Sequence, residues 1–136
     1  MGDLDYDDNC LAYIGDEPEP FSGLAYSTQG NAFRDAEITY VNGLRHGPCR
    51  EWYGPGRLAL DEVYFDDALH GSARHWHKNG QLEEEGEYEY GVTLWEKSWD
   101  ENGNLLKDYT MPEDSSDRKF LQGVRERRAQ AARFAT

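Results

Sequence analysis

The sequence predicts a mainly β protein, built from tandem β-hairpins and closed at its C-terminal end by a helix. Three observations predict this fold: a Trp-Gly-Leu pattern that recurs about every two dozen residues, alternating polarity after each turn, and a basic amphipathic tail. The 136 residues suit one domain. We divide the chain into an acidic N-terminal arm with a half repeat (1–20), the hairpin repeats (21–110) and the C-terminal helix (111–136).

The N-terminal arm carries seven carboxylates and neither Lys nor Arg. Its Leu11 and Tyr13 match the phase of Ile38 and Tyr40 in the first full unit. We therefore expect a half repeat that starts the sheet. A divergent first copy follows from Gly23 and includes Gly30 and Phe33 among its repeated positions.

The central repeats share one spacing of three residue types. Trp52, Trp76 and Trp99 lie 24 and 23 residues apart, each is followed after four residues by a glycine, and each glycine after two by a leucine. The glycines are Gly56, Gly80 and Gly103, and the leucines are Leu58, Leu82 and Leu105. A Trp-x-x-x-Gly-x-Leu segment gives an aromatic strand, a glycine turn and a second strand, which together predict a β-hairpin. Stacked hairpins can share a core that none of them could bury alone.

Carboxylates recur on one side of the second strands. Side chains alternate between the two faces of a strand, so residues of opposite parity to the tyrosine ladder (Tyr40, Tyr64 and Tyr88) share the other face. The acidic residues at that parity are Asp35, Glu37, Asp61, Glu83, Glu85, Glu87 and Glu89. We expect an almost uniformly acidic face, either to attract a basic partner or to keep an exposed sheet soluble.

The tail is expected to form a capping helix. Ser115 or Ser116 can cap its N-terminus, and arginines lie toward its end. Phe120, Leu121 and Val124 share one helical face, with Ala131 and Phe134 roughly continuing it. This face would cover the apolar end of the array.

The repeats resemble the bacterial variant of the MORN repeat, whose consensus is approximately Tyr-x-x-Asn-Gly-x-Leu-x-x-Glu-Gly-x-Tyr-x-x-Gly. Residues 76–91, WHKNGQLEEEGEYEYG, carry this pattern, and residues 99–105, WDENGNL, start it again. The resemblance implies a single twisted antiparallel sheet of hairpins. Bacterial proteins similar to this one often act as antitoxins or immunity proteins, which bind and neutralise a cognate toxin.

Charge narrows the partners that we expect. With 27 acidic and 14 basic residues the net charge is −13, which repels nucleic acid and anionic membranes and attracts basic protein surfaces. The N-terminus lacks the apolar segment of a secretory signal, so a cytoplasmic protein is expected. Cys10 and Cys49 lack zinc-ligand spacing, and we interpret them as buried thiols.

Catalytic and metal chemistry are not expected. His75 and His77 could chelate a metal only with a third ligand, so they are interpreted as surface or partner-contacting histidines and no cofactor is predicted. The glutamates from Glu83 to Glu89 lack the concave site that would separate their pKa values for acid–base catalysis. The protein is therefore predicted not to be an enzyme.

The function predicted from these observations is that of an immunity protein or antitoxin, which occludes a cognate toxin domain that is basic and targets nucleic acid. The chain is expected to be a monomer or to form a 1:1 heterodimer with the toxin. The alternative is a non-catalytic scaffolding repeat protein that recruits another protein or a membrane. The predicted partner-binding residues are Asp35, Glu37, Glu51, Tyr53, Asp61, His75, His77, Glu83, Glu85, Glu87 and Glu89.

Overall fold

The structure, a computed structural model, describes residues 4–7, 11–28 and 35–134. Cys10, Gly30 and Phe33 lie outside these ranges. The described elements are β1 (Leu4–Tyr6), β2 (Ala12–Ile14), β3 (Gly23–Ser27), β4 (Ala36–Val41), β5 (Leu44–Gly54), β6 (Arg57–Phe65), β7 (Ala68–Trp76), β8 (Leu82–Glu89), β9 (Val92–Trp99), β10 (Leu105–Thr110) and α1 (Ser116–Phe134).

Strands β3 to β10 form one antiparallel sheet in which every strand pairs with its neighbours in sequence. The predicted fold class, mainly β with a hairpin sheet and a C-terminal helix, is confirmed. Because each strand pairs with the strands next to it in sequence, the sheet grows along the chain as a stack of hairpins.

The predicted hairpins lie where the Trp-x-x-x-Gly-x-Leu segments place them. In β5–β6, β7–β8 and β9–β10 the tryptophan pairs across the turn with the leucine: Trp52 with Leu58, Trp76 with Leu82, and Trp99 with Leu105. The intervening glycines all have positive φ, a conformation that costs other residues energy. Each repeat thus sets its own turn.

The opposite ends of the strands are joined by two-residue turns with positive φ at both positions, the type I′ geometry that suits twisted hairpins. These turns are Asn42-Gly43, Asp66-Asp67 and Tyr90-Gly91. Each also bonds to the preceding unit through its second residue, whose N–H donates to a carbonyl 22 residues earlier: Gly43 to Phe21 (2.7 Å), Asp67 to Arg45 (2.9 Å) and Gly91 to Leu69 (2.8 Å). Neighbouring hairpins are therefore hydrogen-bonded at this end of the sheet as well as along their strands.

The core follows the tyrosine ladder. Tyr40 and Tyr88 are buried, and Met111, at the equivalent position of the last unit, is buried too. Cys49 is buried as predicted, and burial raises the pKa of its thiol to about 11, which keeps it protonated and unreactive at neutral pH.

The N-terminal arm does not start the large sheet, so that prediction is wrong. Strands β1 and β2 pair with each other as a separate two-stranded sheet. This small sheet docks on the first type I′ turn, where the Ala12 N–H donates to the Gly43 carbonyl at 2.8 Å and the Phe21 N–H donates to the Ala12 carbonyl at 2.7 Å. The Pro-containing segment before β3 turns the chain back onto the Asn42-Gly43 turn instead of adding a strand.

Helix α1 begins as predicted, with Ser115 as its N-cap: the Ser115 Oγ accepts a hydrogen bond from the Arg118 N–H at 3.2 Å. Leu121 is 1% exposed and anchors the helix. Phe120 was predicted to share this buried face, but it is 51% exposed. Adjacent residues on a helix point about 100° apart, and the side of α1 that buries Leu121 does not include Phe120.

Two arginines attach the helix to the sheet. Arg125 makes a two-pronged ion pair with Glu89 at the end of β8. The Arg128 guanidinium lies over two aromatic rings, 4.4 Å from the Phe65 centroid and 4.8 Å from the Tyr90 centroid. The predicted cap thus docks beside the type I′ turns through charge as well as apolar contact.

Arg128→Ala is expected to lower the free energy of unfolding by about 1 kcal/mol, because it removes both cation–π contacts. Urea denaturation would measure the loss, and hydrogen exchange should show faster opening of α1. Arg127→Ala is the matched control: the neighbouring side chain is exposed, so its removal should change stability by less than about 0.5 kcal/mol. Equal losses in the two variants would contradict this mode of docking.

Candidate partner-binding surface

A row of alternating charges crosses the sheet from β4 to β10. Seven successive cross-strand positions carry, in order, Glu37, Arg50, Asp61, Arg74, Glu85, Lys97 and Asp108. Within the hairpins, Arg50 Nε lies 3.3 Å from Asp61 Oδ1 and Arg74 Nε lies 3.1 Å from Glu85 Oε1. We call these seven residues the central charge row.

The central charge row corrects the expectation of a uniformly acidic face. Glu37, Asp61 and Glu85 do share one face, as their parity predicted, but each pairs with at least one basic residue of a neighbouring strand. Opposite charges at directly opposed positions stabilise a sheet, whereas like charges there destabilise it. These carboxylates therefore help to fix strand register.

Other predicted acidic residues flank the central charge row. The Glu87 carboxylate accepts a hydrogen bond from Trp95 Nε1 at 3.1 Å, and Glu89 pairs with Arg125 of the helix, which lowers the pKa of its carboxyl. Glu83 Oε2 lies 3.8 Å from His77 Nδ1 with about half of its side chain exposed. At the far end, the Asp35 carbonyl accepts a hydrogen bond from the Trp52 N–H at 2.9 Å.

Tyr53 and His77 link successive repeats. The Tyr53 hydroxyl donates to the Trp76 carbonyl at 2.6 Å, and His77 Nε2 donates to the Trp99 carbonyl at 2.9 Å. The two residues occupy equivalent repeat positions, 24 residues apart, and make equivalent bonds to the next unit. Their side chains therefore hold the array together, whether or not they also contact a partner.

The opposite face holds a buried ionic group that sequence reasoning missed. Glu62 is 7% exposed, and its carboxylate accepts hydrogen bonds from His75 Nε2 at 2.6 Å and from the Tyr64 hydroxyl at 2.6 Å. Burial alone would raise the pKa of Glu62, but these two hydrogen bonds, together with the charges of His75 and Arg45, outweigh it and its pKa is lowered. The hydrogen bond to Glu62 in turn raises the pKa of His75.

A signal for this group was present in the repeat. Glu62 stands at the position that Gly86 occupies in the next unit, where any larger side chain would meet the backbone of β9: a Cβ on Gly86 would lie 2.8 Å from the Trp95 carbonyl oxygen. Glu62 therefore departs from the repeat pattern, since another copy has glycine there. Such departures mark functional sites or interactions that compensate for the change.

More carboxylates lie on the same face as Glu62. Lys107 Nζ lies 3.2 Å from Glu96 Oε1, while burial and the carboxylate of Glu96 raise the pKa of Glu84. Glu51 is also on this face, because it pairs across the strands with Leu60, and it is exposed. This face thus carries the carboxylates of Glu51, Glu62, Glu84 and Glu96, of which Glu62 is buried and Glu96 is paired with Lys107.

Glu51 and His75 do not lie close enough to share a metal ion. Both residues are register partners of Leu60, on opposite sides of β6, so two strand spacings, about 10 Å, separate them. No group of three or more metal-binding side chains occurs in the described ranges. His75 instead uses its Nε2 on Glu62.

Comparison with known proteins identifies a relative. No protein-family model matches the sequence, and no solved structure matches it. The chain is 34% identical over 132 residues to immunity protein YwqK of Bacillus subtilis (strain 168), an alignment that covers 90% of this chain and 86% of the relative. None of the helices in the described part of the chain has the length and apolar character to span a membrane. With this identity over almost the whole length, the chain belongs to the immunity-protein family of YwqK.

Proposed function

We propose that this chain is an immunity protein that binds one cognate toxin domain and neutralises it by occlusion, without turnover. The observation that carries the proposal is the 34% identity to immunity protein YwqK over 90% of the chain. The proposal places the protein in the cytoplasm, as a monomer that forms a 1:1 complex with the toxin.

The sheet suits occlusion because it is extended and held at many points. Successive units are joined by strand ladders, by the type I′ turn bonds and by the Tyr53 and His77 hydrogen bonds. A surface held in place before binding loses little conformational entropy when it docks. A net charge of −13 would speed association with a basic surface such as the active-site cleft of a nucleic-acid-targeting toxin.

The predicted contact residues differ in how free they are to meet a partner. Asp61 and Glu85 are used in the central charge row, and Tyr53 and His77 bond to the next repeat. The predicted acidic residues that remain exposed are Glu51, Glu83 and Glu87. Glu83 and Glu87 flank the central charge row, whereas Glu51 lies on the opposite face of the sheet. We infer that direct charge contacts to a toxin concentrate on Glu83 and Glu87.

Co-expression with the toxin domain encoded beside the gene tests the proposal. We expect the wild-type chain to restore growth of cells that produce the toxin and to elute with it as a 1:1 complex in gel filtration. The double variant Glu83→Gln and Glu87→Gln should keep the fold but associate more slowly at low salt, and Glu51→Gln, on the opposite face, is the control. Absence of both rescue and complex for the wild-type chain would refute the proposal.

A further inference from the structure

The last strand of the sheet, β10, ends the array with an open edge. In the described part of the chain, β10 pairs only with β9. The Met111 N–H donates to the Leu94 carbonyl at 2.8 Å, and bonded pairs alternate along an antiparallel ladder. Tyr109 therefore faces β9, and the N–H and C=O groups of Asp108 and Thr110 face away from the sheet.

Two side chains at this edge resemble their repeat equivalents but lack the strand that follows them. Asp61 lies between Arg50 and Arg74 in the central charge row, whereas Asp108 has Lys97 on one side and the open edge on the other. Asp108 therefore lacks the second basic neighbour that Asp61 has.

The apolar side chains of β10 show the same incompleteness. Leu58, the repeat equivalent of Leu105, is half-buried and shares a depression with Trp76 of the following strand. Leu105 is 54% exposed and its neighbour Leu106 is 69% exposed. Where another strand follows, an aromatic side chain helps to cover the leucine.

The strands that follow those with Glu37, Asp61 and Glu85 share one sequence pattern. It consists of a basic residue, any residue and tryptophan: Arg50-Glu51-Trp52, Arg74-His75-Trp76 and Lys97-Ser98-Trp99. In β7 and β9 the basic residue pairs with the acidic residue of the preceding strand. The tryptophan then lies toward the leucine at the start of that preceding strand, Leu58 or Leu82. An added strand at β10 would need the same pattern.

We propose that the β10 edge binds an extended segment of the toxin as an additional antiparallel strand. The segment has the pattern base-x-aromatic, with its Lys or Arg opposite Asp108 and its aromatic side chain over Leu105. Main-chain hydrogen bonds to Asp108 and Thr110 supply affinity, and the two side-chain positions supply specificity. This inference rests on the proposed function for the identity of the protein that carries the strand.

The test compares edge variants in complex with the toxin domain. Asp108→Lys replaces attraction of the incoming base by repulsion, and Thr110→Pro removes an outward N–H at an edge position that tolerates proline. Each is expected to weaken binding by about 10-fold or more. Glu113→Lys, with the same charge change at an exposed residue beyond β10, is the matched control and should change binding by less than about threefold. Amide exchange at Asp108 and Thr110 should slow in the wild-type complex.

Two results would overturn the inference while leaving the proposed function intact. One is tight toxin binding by both edge variants with no slowing of those amides. The other is a concentration-dependent dimer of the free chain that Thr110→Pro abolishes, since the edge would then serve a second copy.

A peptide probe separates failure of the inference from failure of the proposed function. If the toxin domain does not bind the wild-type chain, the peptide HGSARHWHK, copied from residues 70–78, is added to it. Slower exchange at Asp108 and Thr110 with this peptide, but not with its Arg→Glu version, supports the edge site. The same response to both peptides, or none, refutes it.

Discussion

Gly43→Ala is expected to lower the free energy of unfolding by about 3 kcal/mol, since it combines left-handed backbone strain with overpacking. Gly43 has φ of 81° in the first type I′ turn. A Cβ there would lie 2.9 Å from Pro20 Cβ and 3.0 Å from both the backbone N and O of Ala12. The N-terminal arm would have to move away and lose its hydrogen bonds to this turn.

Gly91→Ala is the matched control, because it introduces the same left-handed backbone strain without the overpacking. Gly91 occupies the same position of its own turn with the same φ of 81°, but a Cβ there would have as its nearest neighbour the Ala68 Cβ at 3.6 Å, an ordinary contact. We expect this variant to lose only about 1 to 2 kcal/mol. Urea denaturation with both variants measures the difference, which is the contribution of arm docking. Equal losses would show that the arm does not pack on Gly43 in solution.

The hairpins could be predicted from the sequence because their determinants are local. A tryptophan, a turn glycine and a leucine lie within seven residues, and the register they set is the one found between Trp76 and Leu82. The helix N-terminus at Ser115 was predictable for the same reason, since an N-cap acts within one turn.

The central charge row could not be derived from strand parity alone. Parity gave the face of Asp61 and Glu85 correctly, but not the identity of the residues beside them. Bulges between Glu51 and Trp52 and between His75 and Trp76 shift the pairing, so cross-strand neighbours depend on irregularities that a two-residue period does not contain. The acidic face was therefore predicted without its basic partners.

The docking of the N-terminal arm was also beyond sequence reasoning. Leu11 and Tyr13 have the phase of a strand, yet phase does not specify which edge or turn a segment will meet. The contact made by Ala12 depends on the close approach that Gly43 allows, 31 residues away. A glycine at that position of a type I′ turn is explained by φ alone, so its second role has no separate signal in the sequence.

His75→Ala is expected to lower the free energy of unfolding by about 2 to 3 kcal/mol near pH 5.5, because it leaves the buried Glu62 carboxylate with one hydrogen-bond donor fewer. The Glu62 side chain is 9% exposed and the His75 side chain 32%, so solvent screens this pair much less than a surface pair. His46→Ala is the control, since His46 faces Asp66 in an exposed pair at 3.3 Å and should contribute less than about 1 kcal/mol.

The loss of unfolding free energy in His75→Ala should depend on pH, and the two pKa shifts define the pH range in which it is largest. The pKa of Glu62 is lowered, so its contribution is complete above its ordinary value of 4.5 and is lost as the pH falls through the lowered value in the folded protein. The pKa of His75 is raised, so its contribution is complete below its ordinary value of 6.5 and is lost as the pH rises through the raised value. The pair therefore stabilises the fold most between pH 4.5 and 6.5.

A double-mutant cycle separates the pair from its surroundings. Glu62→Gln, His75→Ala and the double variant are unfolded with urea at several pH values, and the coupling free energy is expected to be about 2 kcal/mol inside the window and smaller on either side. A coupling free energy that does not change with pH would mean that the hydrogen bond joins two uncharged side chains. That result would refute the prediction that Glu62 and His75 form an ion pair. A coupling confined to the window would identify this departure from the repeat as an ion pair that stabilises the middle of the sheet.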